Sequence, residues 1–137
     1  MTKIKYDTNL IKLISLFETL TRAKVKDCID SNILMFVVKQ GEIGKAIGKK
    51  GSNIKRIENV LKRKIKIVEF DDDIEIFVKN LISPLKVENI TKEDDTIIIS
   101  DANNQTKGKL KGRDSQNIKE YKKIVSRYFD IEDIVVK

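Results

Sequence analysis

The chain has 137 residues, 40% of them apolar and 36% charged, and a net charge of +7. That length allows one ordinary domain or two small ones, with apolar residues enough for a core. No apolar run of about 18 residues occurs, so no membrane-spanning helix is expected, and with no histidine and a single cysteine, Cys28, neither an intrachain disulfide nor a zinc site is expected.

The first residues, Met1 to Asp7, lack a signal-peptide core, so a cytoplasmic location without a membrane partner is expected. Charge is uneven along the chain. Residues 1–70 hold 16 basic and 7 acidic side chains, whereas 71–137 hold 12 and 14. Nine basic residues against Glu58 alone fall within 45–66, and eight against Asp114 and Glu120 within 107–127. Clusters of this kind suit nucleic-acid backbones. The plainer reading is a lysine-rich solvated surface.

Leu10, Leu13, Ile14, Phe17 and Leu20 recur at helical spacing and predict a core helix over 8–20, widened by Ile11 and Leu16 and capped by Asp7 or Thr8. Residues 23–30 and 32–38 read as strands, and Ile33 to Val38 is a continuous apolar run of the kind found in a central strand. Cys28 falls on or near that sheet, in a structural role. A short helix over 42–47 follows, then a turn bracketed by Gly48 and Gly51. A second helix over 52–63 has Ile54, Ile57, Val60 and Leu61 on one face. Ile65, Ile67 and Val68 or Phe70 mark a third strand over 64–70. Asp71-Asp72-Asp73 reads as a turn and helix start rather than a metal site, because acidic residues favour helix N-termini. A helix over 74–81 ends near Pro84, the only proline, so the domain boundary is placed at 80–84. Strands over 85–91 and 96–100, helices over 106–111 and 116–129 and a strand over 131–137 complete the chain. Ile118, Tyr121, Val125, Tyr128 and Phe129 supply the last helix's apolar face.

The second part repeats the first at an offset of 64 residues. Gly44-Lys45 falls on Gly108-Lys109, Gly48 on Gly112, Asn53-Ile54-Lys55 on Asn117-Ile118-Lys119, and Asp30 on Asp94. A repeat of this length implies two copies of strand–strand–helix–turn–helix–strand.

Chemistry concentrates at Gly44-Lys45-Ala46-Ile47-Gly48-Lys49-Lys50-Gly51-Ser52-Asn53-Ile54-Lys55. Gly48 and Gly51 permit φ > 0 and a close backbone approach. Ser52 stands where a helix N-cap is expected, and the helix start with Lys49 and Lys50 favours a phosphate. Other motifs fail. The nucleotide-binding loop G-x-x-x-x-G-K-[ST] is absent, since Lys49 stands five residues after Gly44 and Ala46 five after Gly41. No G-x-G-x-x-G occurs and no aromatic flanks the turn, which argues against base-stacking sheets. No catalytic constellation stands out, so neither an enzyme nor a cofactor or metal is expected.

The stretch from Ile43 to Ile54 resembles the signature of KH domains, whose GXXG loop clamps a nucleic-acid backbone. The leading helix and the element order resemble the type II arrangement. Two such units in tandem resemble the archaeal NusA-like transcription factors over nearly the whole chain. The resemblance implies an α+β fold of two KH-like units, 1–81 and 84–137, each a small three-stranded sheet covered by helices. It also implies a single-stranded RNA-binding factor in transcription termination or antitermination, with RNA polymerase as a protein partner. Carried onto this sequence, the RNA-binding residues are Gly44, Lys45, Ile47, Gly48, Lys49, Lys50, Gly51, Ser52, Asn53, Lys55 and Arg56 in the first unit, and Lys109, Gly112, Arg113 and Lys119 in the second. The second turn departs from the pattern: Ser115 replaces its second glycine and resists φ > 0, while Asp114 puts a negative charge near the phosphate. Ser115 remains a candidate cap for the last helix. A weaker grip by the second unit is expected. A protein-docking module for the polymerase, with Asp71–Glu75 and Glu93–Asp95 as docking segments, and a ribosomal or RNA-processing KH protein are the alternatives.

Overall fold

The computed structural model describes residues 8–137, so the capping role expected of Asp7 lies outside the described residues. Packing divides the chain at Asp71–Asp72. In the first unit, helix α1 (Thr8–Thr21) leads into strands β1 (Val25–Asp30) and β2 (Leu34–Val38). Helix α2 (Ile43–Ile47), a single 3-10 turn (Lys49–Gly51), helix α3 (Ser52–Leu61) and strand β3 (Ile65–Glu69) follow. The sheet order is β1-β2-β3, with β1 antiparallel and β3 parallel to the central β2.

The apolar run does form that central strand, and all five residues of β2 are buried. Ile33 does not join it: it stands exposed in the turn between β1 and β2. Leu34, Phe36 and Val38 meet Phe17, Ala46, Ile57 and Ile65 in one apolar cluster, with Leu10, Leu13, Ile14 and Leu20 of α1 against it. Phe17 stacks on Phe36 with ring centroids 4.2 Å apart. Ile11, expected to widen the α1 stripe, is exposed instead. Two carboxylates fasten helices to strand ends. Glu18 of α1 accepts from the Val25 amide at 2.9 Å, and Glu58 of α3 from the Ile65 amide at 3.0 Å. Cys28 is buried in β1, within the apolar cluster.

The second unit holds helix α4 (Ile74–Ile82), strands β4 (Asn89–Glu93) and β5 (Thr96–Ser100), and helix α5 (Asn104–Lys111). A second 3-10 turn (Arg113–Ser115), helix α6 (Gln116–Val125) and strand β6 (Asp133–Val136) complete it. Its sheet, β4-β5-β6, has the same mixture of antiparallel and parallel pairs. Together the two units make the α+β fold of tandem KH-like modules that the sequence implied.

The structure alters several element readings. The repeat includes a leading helix: α4, which the sequence reading joined to the first unit, packs on β4 and α6. The Asp71–Asp73 run, by contrast, is the turn and helix start expected of it, since the Asp73 carboxylate accepts from the Glu75 and Ile76 amides and caps α4. The offset of 64 is not uniform. It holds from α2 through α3, but β2 starts at Leu34 and β5 at Thr96, an offset of 62, because the β4–β5 turn is one residue shorter and β1 carries one more residue than β4, at the register shift between Val25 and Asp27. Helix α6 stops at Val125 rather than continuing to 129. There the chain tightens into i→i+3 bonds, from the Arg127 amide to Ile124 and from Tyr128 to Val125. That turn brings the Tyr128 and Phe129 rings to 5.6 and 5.8 Å from Phe77 of α4. Helix α3 likewise ends at Leu61, where Lys62 turns left-handed at φ 55°.

Candidate nucleic-acid interface

The first turn is built from three left-handed or otherwise unusual residues in sequence. Gly48 has φ 74° and ψ 172°, Lys50 φ 56° and ψ 31°, and Gly51 φ 74° and ψ 18°. The two glycines serve different ends. A Cβ on Gly48 would lie 2.8–2.9 Å from the Asn53 side chain and amide, a distance real Cβ atoms do not tolerate. A Cβ on Gly51 would meet nothing within 4 Å, so only its backbone angle calls for glycine.

Ser52 is not the N-cap. It is the first helical residue of α3, at φ −61°, and Gly51 holds the cap position with no side chain capping the helix. The Ser52 amide donates instead to the Lys49 carbonyl, and the dipole of α3 favours an anion at this end. Around it stand Lys49, Lys50, Lys55 and Arg56, all exposed and in no ion pair among the described residues. Lys45 is exposed as well, but its ammonium pairs with Glu42 at 3.4 Å. Glu42 also accepts from the Lys24 amide at 2.9 Å. That backbone bond is the main cause holding its carboxyl below the usual range; burial opposes it and Lys45 assists. Sequence reasoning missed Glu42, and only its position one residue before α2 hinted at it.

Gly44 lies exposed in α2 with open space above its Cα, and Ile47 and Ile54 are half-buried, Ile54 packing on the core cluster. Asn53 points inward: its amide Nδ2 donates to the Lys45 carbonyl at 2.7 Å and closes α3 onto α2.

The second turn has the same shape. Gly112 has φ 70° and ψ 176°, Asp114 φ 55° and ψ 32°, and Ser115 φ 59° and ψ 24°. Ser115 thus adopts the left-handed conformation it was expected to resist. It does not cap α6, because an N-cap side chain reaches the helix from an extended backbone, which Ser115 lacks. Asn117 donates to the Lys109 carbonyl at 2.9 Å, and a Cβ on Gly112 would fall 2.7 Å from its side chain. Lys109, Arg113 and Lys119 are exposed around this turn, with Asp114 among them. Lys111, also exposed beside the turn, was visible only as part of the basic 107–127 window.

No helix of the described residues is long and apolar enough to cross a membrane. The family model for the KH domain matches residues 13–86. A probable transcription termination protein NusA from Halobacterium salinarum is 39% identical over 126 residues, covering 90% of this chain and 91% of the relative. Its counterpart of the same name from Halococcus morrhuae is 31% identical over 135 residues, covering 96% and 97%. Among solved structures, the crystal structure of APE1850 matches with a TM-score of 0.75 at 30% identity, over 96% of this chain and all of that one.

Proposed function

The chain belongs to the KH-domain family, among the archaeal NusA-like proteins, and from that premise we propose that it binds single-stranded RNA through its first turn during transcription termination or antitermination. One observation carries the reading. At the start of α3, which no side chain caps, a left-handed turn with open space at Gly51 is ringed by four exposed cations that have no ion-pair partner among the described residues. Such a site attracts a phosphate through the dipole of α3 and through the surrounding positive charge together.

In this mechanism the sugar–phosphate backbone lies across Gly48–Gly51. Lys49 and Lys50 neutralise phosphates, and Lys55 and Arg56 extend the field along the exposed side of α3. Lys45 contributes less, because Glu42 already compensates its charge. Ile47 and Ile54 support the groove floor from the protein side. These phosphate contacts position the RNA, and base edges would supply any sequence preference. The second unit grips more weakly, with Asp114 facing the phosphate. RNA polymerase is the protein partner that the relatives' transcription role suggests.

The test is binding of a short single-stranded RNA to wild type and to Lys49→Asp/Lys50→Asp across a salt series, with folding followed by circular dichroism. Loss of the two contacts should flatten the slope of log K against log salt by about 1.4, from roughly 0.7 per phosphate on a single strand. Unchanged binding with the fold intact would remove the first turn from the interface. No binding by wild type would favour the docking module instead.

A further inference from the structure

We infer that Asn53 is a positioning residue for the RNA grip rather than an RNA contact: its side chain latches the first turn in its binding shape. The inference rests on the reading that this turn holds RNA. Three observations support it. The Asn53 Nδ2 donates to the carbonyl of Lys45, the third residue from the end of α2, at 2.7 Å. The same amide group fills the space above Gly48, where a Cβ would sit 2.8 Å from its Cγ and 2.9 Å from its Nδ2. The pair recurs in the second unit at the same spacing of eight residues, Asn117 to Lys109 at 2.9 Å, again with its amide against the glycine that opens the turn.

The recurrence separates the latch from the RNA. The second turn has lost the second glycine and one of the two cations, yet keeps the asparagine, the first glycine and all three unusual backbone conformations. A residue serving only as an RNA contact would have no reason to fix the same internal bond in both turns. A short amide is the group this position calls for. It must donate to a helix-end carbonyl, one of the acceptors a helix leaves unpaired, while staying flat enough to lie against an α-carbon. The latch also explains why Gly48 and Gly112 are glycines while Ser115 is allowed. The opening glycine faces the asparagine; the closing position faces open space at Gly51 and is exposed at Ser115. Holding the turn in place before RNA arrives lowers the ordering cost of binding.

The experiment compares wild type, Asn53→Ala, Asn53→Asp and Lys49→Asp/Lys50→Asp, all in the full chain. Amide hydrogen exchange is read without RNA at Gly48, Gly51 and Ser52, whose N–H groups close the turn on Gly44, Gly48 and Lys49. RNA affinity is then read across salt. In Asn53→Ala, protection at those amides should fall about tenfold, in line with one lost hydrogen bond, while amides of β2 keep theirs. RNA affinity should fall with the salt slope unchanged, because no cation is lost. Asn53→Asp keeps the size but presents a carboxylate to the Lys45 carbonyl. Its turn should be unprotected at neutral pH and regain protection as the carboxyl protonates near pH 4 and donates again. Wild-type protection in Asn53→Ala would overturn the latch. So would a loosened turn that still binds RNA normally while the lysine variant does not. If the lysine variant binds RNA as wild type does, the failure belongs to the first-turn reading of function, and the exchange data still decide whether Asn53 holds the turn.

Discussion

The two turns of this molecule share a backbone and differ in how they meet its demands. Each needs two successive left-handed residues, at 50 and 51 in one and at 114 and 115 in the other. In the first turn Lys50 bears the unfavourable conformation and Gly51 adopts it freely. In the second the burden is exchanged: aspartate tolerates the left-handed region better than lysine, and Ser115 takes the strain that glycine avoids, about 1–2 kcal/mol for a residue with a Cβ. The shape survives because the flanking helices and the asparagine latch determine it from outside the four residues. The charge does not survive, since Asp114 stands where Lys50 does. Conformation and electrostatics are therefore separable properties of this motif, and the two units separate them.

The sharpest way to break that comparison is to disturb the shape. Gly48→Ala forces a Cβ into Asn53 and also onto a backbone, φ 74° and ψ 172°, that only glycine takes readily, so it should cost about 3 kcal/mol or more of first-unit stability, the clash adding to a backbone penalty of about 1–3 kcal/mol. Gly51→Ala meets open space and should cost only its left-handed backbone penalty, about 1–2 kcal/mol. Urea denaturation of both variants checks the ranking, and equal costs would mean that Asn53 does not press on Gly48.

A smaller effect is expected from restoring charge. In a Lys49→Asp/Lys50→Asp background, Asp114→Lys should raise RNA affinity about tenfold at low salt, because a repelling carboxylate gives way to a phosphate partner in an already formed turn. The gain should disappear at high salt. Fluorescence anisotropy with a labelled single strand measures it, and no gain at low salt would show that Ser115 or the strand itself, rather than charge, weakens the second turn.

The smallest expected effect concerns Glu42, which ties α2 to the start of β1 in the first unit only; Thr106 stands at its offset position. Its carboxyl is held below its ordinary value, first by the Lys24 amide, so ionised Glu42 stabilises the fold above the usual glutamate range. That contribution is lost as pH falls through the depressed value. Glu42→Gln should therefore lower the melting temperature at neutral pH and converge on wild type in acid. A difference that persists in acid would point to packing rather than charge.

Much of this was legible in the residues themselves. The helical spacing in α1 and α3, the apolar run of β2 and the glycines of the first turn all act within a few residues, so periodicity and turn chemistry expose them. The repeat was visible from α2 to α3 because the turn allows no insertion there. It blurred at β2 and β6, where loops of different length absorb the change.

What the sequence by itself determined is the set of elements, the tandem order and the position of the basic turn, since these follow from local period, backbone freedom and charge. Tertiary structure alone decided the rest. It gave α4 to the second unit through its packing on β4 and α6, and it stopped α6 early so that Tyr128 and Phe129 reach Phe77. It also turned Asn53 inward to a carbonyl eight residues away and held Ser115 at an angle its own Cβ disfavours. Each of these depends on a partner that only the folded chain brings within contact distance, and neither spacing nor composition records it.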